Sequence, residues 1–383
     1  KPLLSALTNK MRNMVGVFNS TDIGLSLYGL KKMSSRSKQV KELLVVLTDK
    51  IEHSKCFFDY QTIAHAFNGL QSLSSDSEAV RNLVSALTLK LSLSQVEFDN
   101  FLIGRSLYGL QNMSADSEEV RELLKVLTAK IKFSQANFDE HTIGSSLYGL
   151  QNMTAESVEL RNLLAALTQK IKSSNHGINR QAIANALYGL KNMSSNSSAV
   201  EDLLEVLTLK LHQLKENLGP QELANSLYGL NHMSLDTPVV NALLHALEKK
   251  LPNQPIDYET EPMAWAQIVA SCYELAERGK KQSMQLLGIK DQNANLPLCK
   301  IKRLYINTLM ANSQVGVIDL HGLNYISAKL LLRFLMIDTP NNKCQSIVFG
   351  RGSHSKLQDS NKMSNLVEKF LEDHGIKGEI AYH

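Results

Sequence analysis

Apolar residues fall four, three and three apart from Ile103 through Leu107 and Leu110 to Met113, which sets them along one stripe of a helix. After a polar joint, Met113 to Glu119, a second stripe of Val120, Leu123, Leu124, Leu127 and Ile131 predicts a second helix near Glu118 to Lys132. Ser114 or Ser117 is placed to cap that helix, with acids in its first turn. In the first helix Gly104, Ser106 and Gly109 are small, and the first of them is Gly24, Ala64, Gly144, Ala184 or Ala224 elsewhere in the chain. Small residues let neighbouring helices approach closely, at a cost in helix propensity that packing must offset.

The two-stripe pattern returns along the chain. Ser106-Leu107-Tyr108-Gly109-Leu110 recurs at Ser26, Ser146 and Ser226, with variants at Ala66 and Ala186, and its glycine stands at 29, 69, 109, 149, 189 and 229. A fixed period of 40 residues means stacked units that bury their apolar faces on one another. The fold class expected is therefore multidomain. Residues 1–250 form an all-α solenoid of about six 40-residue, two-helix repeats, the first of them partial; residues 251–312 form a degenerate capping repeat and linker helix; and residues 313–383 form a small α/β domain. The chain opens on Leu3 to Lys10, which aligns with the second half of a repeat at Leu83 to Lys90, so the expectation is a fragment from which repeats or a targeting segment were trimmed.

Residues three and four apart share a helix face, which lines up Phe101, Arg105, Tyr108 and Asn112 on the outer side of one first helix. The corresponding rows are Thr21, Leu25, Tyr28, Lys32; Gln61, His65, Asn68, Ser72; His141, Ser145, Tyr148, Asn152; Gln181, Asn185, Tyr188, Asn192; and Gln221, Asn225, Tyr228, His232. One position is nearly always tyrosine, and those beside it vary among hydrogen-bonding groups. An aromatic face stacks on any base and variable polar neighbours distinguish base edges, so the rows suggest single-stranded or structured RNA as partner. The candidate contacts are Tyr28, His65, Asn68, Arg105, Tyr108, Asn112, Ser145, Tyr148, Asn152, Asn185, Tyr188, Asn192, Asn225, Tyr228 and His232. At about one base per repeat, the array would follow roughly six nucleotides. The alternative packs the tyrosines between repeats with their hydroxyls at the rim, as in a scaffold that binds protein.

Charge modifies this picture only in part. Net charge is +4, and Lys plus Arg against Asp plus Glu stands at 10 to 4 over residues 1–55 but 16 to 20 over residues 56–250, so generic attraction to phosphate is not the whole of any binding mechanism. A lysine closes every second helix, at 10, 50, 90, 130, 170, 210 and 250. It reads as a cation satisfying the negative end of its helix dipole, with a phosphate ladder as the sharper alternative. No apolar run reaches the span of a membrane helix, and no charged-then-apolar leader opens the chain, so a soluble protein without a membrane partner is expected. Cys56, Cys272, Cys299 and Cys344 lie far apart with no C-x-x-C pair, which fits reduced thiols in a cytoplasm-like compartment. A trimmed N-terminal segment would leave room for an organelle or for secretion into a host.

The repeat breaks at Leu251-Pro252-Asn253-Gln254-Pro255. Met263 to Ala276 reads as a further helix holding the sole tryptophan, Trp265, which is expected in a core; Lys300 to Met310 reads as a basic amphipathic helix. The chemistry lies beyond. Val315 to Gly322 is a short apolar strand ending in Asp319, His321 and Gly322; a helix follows from about Tyr325 to Met336. A second strand, Gln345 to Phe349, runs into Gly350-Arg351-Gly352-Ser353-His354-Ser355, then come a helix near Lys362 to Glu372 and a last strand near Gly378 to Ala381. Alternating strand and helix imply parallel strands, whose carboxyl ends carry the sites of such sheets. A histidine exchanges protons with ribose hydroxyls and leaving oxygens, and a carboxylate beside it orients it or holds a metal. A Gly-Arg-Gly loop brings backbone N–H groups and a guanidinium to a phosphate.

Asp-Leu-His-Gly at Asp319 to Gly322, followed by Gly350-Arg351-Gly352 and His354-Ser355, resembles the Smr (small MutS-related) domain over about residues 313 to 383. The two-helix period over residues 1 to about 250 resembles the octotricopeptide and pentatricopeptide RNA-binding solenoids, more the former in its length. The Smr resemblance implies endonuclease activity on RNA or nicking of DNA. It makes Asp319, His321 and Arg351 catalytic candidates with His354 as accessory, and Gly322, Gly350, Gly352, Ser353 and Ser355 a phosphate-binding loop. No dense carboxylate cluster demands a metal, and Mg or Mn is the ion left open as cofactor. The expectation is thus an RNA endonuclease whose repeats hold the strand; the alternatives are a DNA-nicking enzyme of repair or recombination and a non-catalytic scaffold.

Overall fold

The structure is a computed structural model that describes residues 2–251, 259–277, 298–310, 317–321, 323–338, 346–348 and 357–376. The chain is mostly helical, and its helices follow the predicted period. First helices of the repeats are α2 (Ser20–Tyr28), α4 (Tyr60–Leu70), α6 (Asn100–Tyr108), α8 (Glu140–Tyr148) and α10 (Arg180–Gly189). Second helices are α1 (Pro2–Arg12), α3 (Lys38–His53), α5 (Glu78–Leu93), α7 (Glu118–Phe133), α9 (Val158–Ser173), α11 (Ser198–Gln213) and α13 (Pro238–Glu248). First helices pack on first helices and second on second, each against its neighbour in sequence, which makes a solenoid-like array.

Both predicted stripes are core. Ile103, Leu107, Leu110 and Met113 are fully buried, as are Val120, Leu123, Leu124, Leu127 and Ile131. The first helices are shorter than their stripes. In the third repeat α6 ends at Tyr108, and the backbone tightens into i→i−3 bonds, Leu110 N–H to Leu107 and Met113 N–H to Leu110, that carry the stripe to the joint. Of the two serines proposed as caps, Ser117 takes the N-cap position of α7 without a side-chain cap bond, while Ser114 donates to Asp116 at 2.7 Å. Caps form on the first helices, where Asp59, Asp99, Asp139 and Asn179 each accept the backbone N–H three residues on, and on the second helix α9, where Ser157 accepts from Leu160 N–H at 3.1 Å.

The recurring glycine is there for close approach. Gly149 has ordinary helical angles, φ −61° and ψ −19°, so any residue would suit its backbone. A Cβ at this position would stand 2.0 Å from the carbonyl oxygen of Leu107 in the preceding repeat, and Gly69, Gly109, Gly189 and Gly229 meet the same obstacle from Leu27, Phe67, Leu147 and Leu187.

By contact, residues 1–216 and 229–249 form one compact unit and residues 217–228 and 250–383 another. The second unit holds α12 (Pro220–Gly229) up to Tyr228, α14 (Pro262–Glu277), α15 (Leu298–Met310), β1 (Val317–Asp319), α16 (Tyr325–Leu332), β2 (Ser346–Val348) and α17 (Leu357–Asp373). β1 and β2 pair in parallel with Ile318 opposite Ile347, and α16 lies between them in sequence. An aromatic cluster orders the helices. Tyr305 of α15 is fully buried, packs on Trp265 and edge-on against Phe334, and donates its hydroxyl to the Ser327 carbonyl at 3.0 Å. α14 is tied to α16 by Lys329 with Glu274 at 3.1 Å and Asn324 with Gln267 at 2.9 Å. The last strand expected near Gly378 lies outside the described residues.

Candidate functional site

Asp319 ends β1, where parallel pairing with β2 fixes the backbone and Leu320 N–H still bonds to the Val348 carbonyl at 2.8 Å. The chain then turns, and the Asp319 carboxylate makes the turn: Oδ1 accepts the backbone N–H of His321 at 2.9 Å. The same oxygen stands 2.5 Å from Nδ1 of the His321 ring. A carboxylate only accepts, so a ring proton belongs on Nδ1, and in the neutral imidazole the lone pair is then on Nε2. Both side chains are about half exposed, 46% for Asp319 and 48% for His321, so the dyad is open to a large substrate. Asn324 accepts the backbone N–H of Ser327 at 2.9 Å and starts α16 directly after the turn. Gly322, Gly350, Arg351, Gly352, Ser353, His354 and Ser355 lie outside the described residues.

Within the tyrosine row Tyr108, Tyr148 and Tyr188 are half-buried and stacked, while Tyr28 is exposed. Tyr108 and Tyr148 have ring centroids 5.8 Å apart with planes 17° off parallel, and Tyr148 and Tyr188 are 5.6 Å apart at 16°. Tyr148 thus has a ring on each side, and the ledge presents ring edges and hydroxyls. Tyr28 meets His65 at 5.0 Å, tilted. In the second repeat Asn68 replaces the tyrosine, and its side-chain oxygen accepts from Arg105 at 2.9 Å. Ser145 turns its hydroxyl onto the His141 carbonyl of its own helix at 2.7 Å, and Asn185 is half-buried on the same face. In the second unit Asn225 accepts from Gln221 at 3.0 Å, and Tyr228 is half-buried.

In five of the six rows the fourth position is taken up by the fold, Lys32 of the first row being exposed. Asn112, Asn152 and Asn192 donate to the carbonyls of Gln71, Gln111 and Gln151 in the preceding repeat at 2.6–2.7 Å, Ser72 donates to Lys31, and His232 meets the Lys191 carbonyl at 2.6 Å. The closing lysines are likewise internal: Lys130 and Lys170 donate to Ser94 and Ser134 at 2.5 Å, Lys90 to Ser54, and Lys210 to both Ser174 and His176 at 2.9 and 2.8 Å. Each satisfies the carboxyl end of the preceding repeat's second helix, so the dipole that they answer is the neighbour's and not their own. Burial holds the Lys130 and Lys210 ammonium groups below their ordinary pKa.

Sequence reasoning passed over one property of this face. None of the row positions is Asp or Glu in any repeat, although residues 56–250 hold more acids than bases. Cations border it instead: Lys31 sits over Tyr28 at 5.7 Å and Lys191 over Tyr188 at 4.4 Å, the latter also bonded to the Tyr188 hydroxyl at 3.1 Å. The signal was available as an absence, which motif matching does not register.

Among the described residues no three His, Cys, Asp or Glu side chains gather into a metal-holding group, and Cys56 and Cys272 are not joined in disulfides. No described helix is long and apolar enough to cross a membrane. Compared with known proteins, the chain matches no family model and no curated protein.

Proposed function

We propose that this chain is an endoribonuclease in which the outer rows of the repeats' first helices bind single-stranded RNA and an Smr-like C-terminal α/β domain cleaves it. The observation that carries the reading is the Asp319–His321 pair at the carboxyl end of a parallel strand, with Nδ1 engaged and Nε2 turned outward from the carboxylate. Asp319 orients the ring; His321 Nε2 takes a proton from the attacking hydroxyl and returns one to the leaving oxygen. Arg351, with backbone N–H groups from Gly350 to Gly352, stabilises charge on the pentavalent phosphate, and His354 assists. Support for RNA on the repeats comes from row positions that hold no Asp or Glu, with Lys31 and Lys191 beside Tyr28 and Tyr188, a surface suited to a polyanion.

The test offers matched single-stranded RNA, single-stranded DNA and branched DNA to the purified chain and to its His321→Ala variant. RNA is cut by the first and not by the second, while both retain the RNA in a gel shift. Equal cutting by the variant would remove the dyad from the mechanism, and preference for branched DNA would move the activity to repair.

A further inference from the structure

Gln221 and Asn225 belong to the outer row of the sixth repeat, but their bonds lead away from it. Gln221 Nε2 donates to Asn225 Oδ1 at 3.0 Å, and Gln267 Nε2 of α14 donates to the same oxygen at 3.4 Å. Gln267 Oε1 accepts from Asn324 Nδ2 at 2.9 Å, and Asn324 Oδ1 accepts the Ser327 N–H at 2.9 Å. All five residues lie in one compact unit. The direction of the chain is fixed from its far end. A backbone N–H only donates, so Asn324 turns its oxygen to Ser327 and its NH2 to Gln267, which must present an oxygen there and its own NH2 to Asn225. Turning over Asn225, Gln267 or Asn324 alone would set donor against donor or acceptor against acceptor.

That far end is the turn that carries the dyad. His321 is about half exposed, so packing does little to place its ring and the task falls to the backbone on either side. Before it, Leu320 is buried and its N–H is bonded to Val348 of β2. After it, Leu323 N–H returns to the Leu320 carbonyl at 3.2 Å and Asn324 caps α16. A second tie between α14 and α16, Lys329 to Glu274 at 3.1 Å, lies further along α16 and touches neither cap nor turn.

We propose, resting on the nuclease reading above, that Gln267 is a positioning residue for the Asp319–His321 dyad, fixing the far end of its turn through Asn324. Asn225, a candidate RNA contact by its place in the row, braces Gln267 instead, since both lone pairs of its side-chain oxygen are taken by Gln221 and Gln267.

A labelled single-stranded RNA is offered to the full chain and to four variants, and kcat and KM are measured for each: Gln267→Met, Asn324→Ser, the two combined, and Glu274→Gln. Methionine keeps the length of the side chain and loses both bonds; serine at the cap still accepts the Ser327 N–H but does not reach Gln267; Glu274→Gln weakens the same pair of helices away from the turn. Gln267→Met should lower kcat by about ten- to a hundredfold with KM held. Asn324→Ser should lower it to the same extent, so the prediction stands on either variant, and the combination should lower it no further. Glu274→Gln should keep the parent kcat. An equal loss in Glu274→Gln would reduce Gln267 to packing of α14 on α16, and a raised KM at parent kcat would assign it to RNA binding; either overturns the proposal, as do additive losses in the combined variant. A parent chain that cuts neither this RNA nor total RNA removes the nuclease reading, and the positioning role falls with it.

Discussion

At Gly149 two effects oppose each other, and the structure says which is larger. Replacing an exposed helical glycine by alanine stabilises by about 0.4–1 kcal/mol through the unfolded chain. Here the added methyl would stand 2.0 Å from the Leu107 carbonyl, a backbone atom that moves only if two repeats separate. Overpacking of this kind costs about 1–3 kcal/mol, so Gly149→Ala should be destabilising in chemical denaturation. Gly29 holds the same place in the first repeat but meets nothing within 4 Å, so Gly29→Ala should be neutral or stabilising. Lys210 offers a second contrast. Lys210→Met keeps the stem and deletes two bonds from a charged donor, with an expected loss of about 1.5–3 kcal/mol. Because the ammonium is spent on carbonyls, the salt dependence of RNA binding should not change; a slope lowered by about one would restore the phosphate ladder.

Among the elements, the first helices owe their starts to a carboxylate or its amide. Asp139 accepts from both the backbone and the hydroxyl of Thr142, at 2.7 Å each. Burial raises its pKa and the Thr142 bonds lower it, and the balance lies below the ordinary value of 3.8. A depressed carboxylate pKa contributes stability that is present above the unfolded value and is lost as pH falls through the folded one. Asp139→Asn should therefore match the parent at neutral pH, since Asn179 caps the next repeat by the same bond, and should lose less stability below about pH 4. Asp139→Ala should cost about 0.5–2 kcal/mol at neutral pH. Thermal melts across pH 2.5–7 read both; an identical acid slope in Asp139→Asn would show that the cap does not sense pH.

Element spans were well written in the sequence because apolar spacing within a helix is local: the stripe from Val120 to Ile131 predicted a helix ending near Lys132, and α7 runs Glu118–Phe133. Partners were not, because they lie a whole repeat away. Asn112 reaches back 41 residues and Lys130 reaches back 36, and periodicity shows which face a side chain occupies without showing what stands across from it. The dyad was legible for the opposite reason. Asp319 and His321 are two residues apart, so the turn that joins them is set by local backbone, and the 2.5 Å contact needs little from the rest of the fold. The Arg351 loop is a further strand away, beyond the described residues, and its place in the site rests on motif order alone.

For the whole molecule, the proposed function requires an array that holds RNA and a dyad that cuts it. Array stability is a sum over repeats and interfaces, so a surface substitution in one repeat leaves the packing of the others in place. The most direct measurement incubates total RNA with the full chain and with His321→Ala and maps every new end. The account predicts discrete ends with the parent, sharing a short sequence at a fixed distance from the cut, and none with the variant. The same ends from both proteins, or ends scattered without a shared sequence, would contradict it.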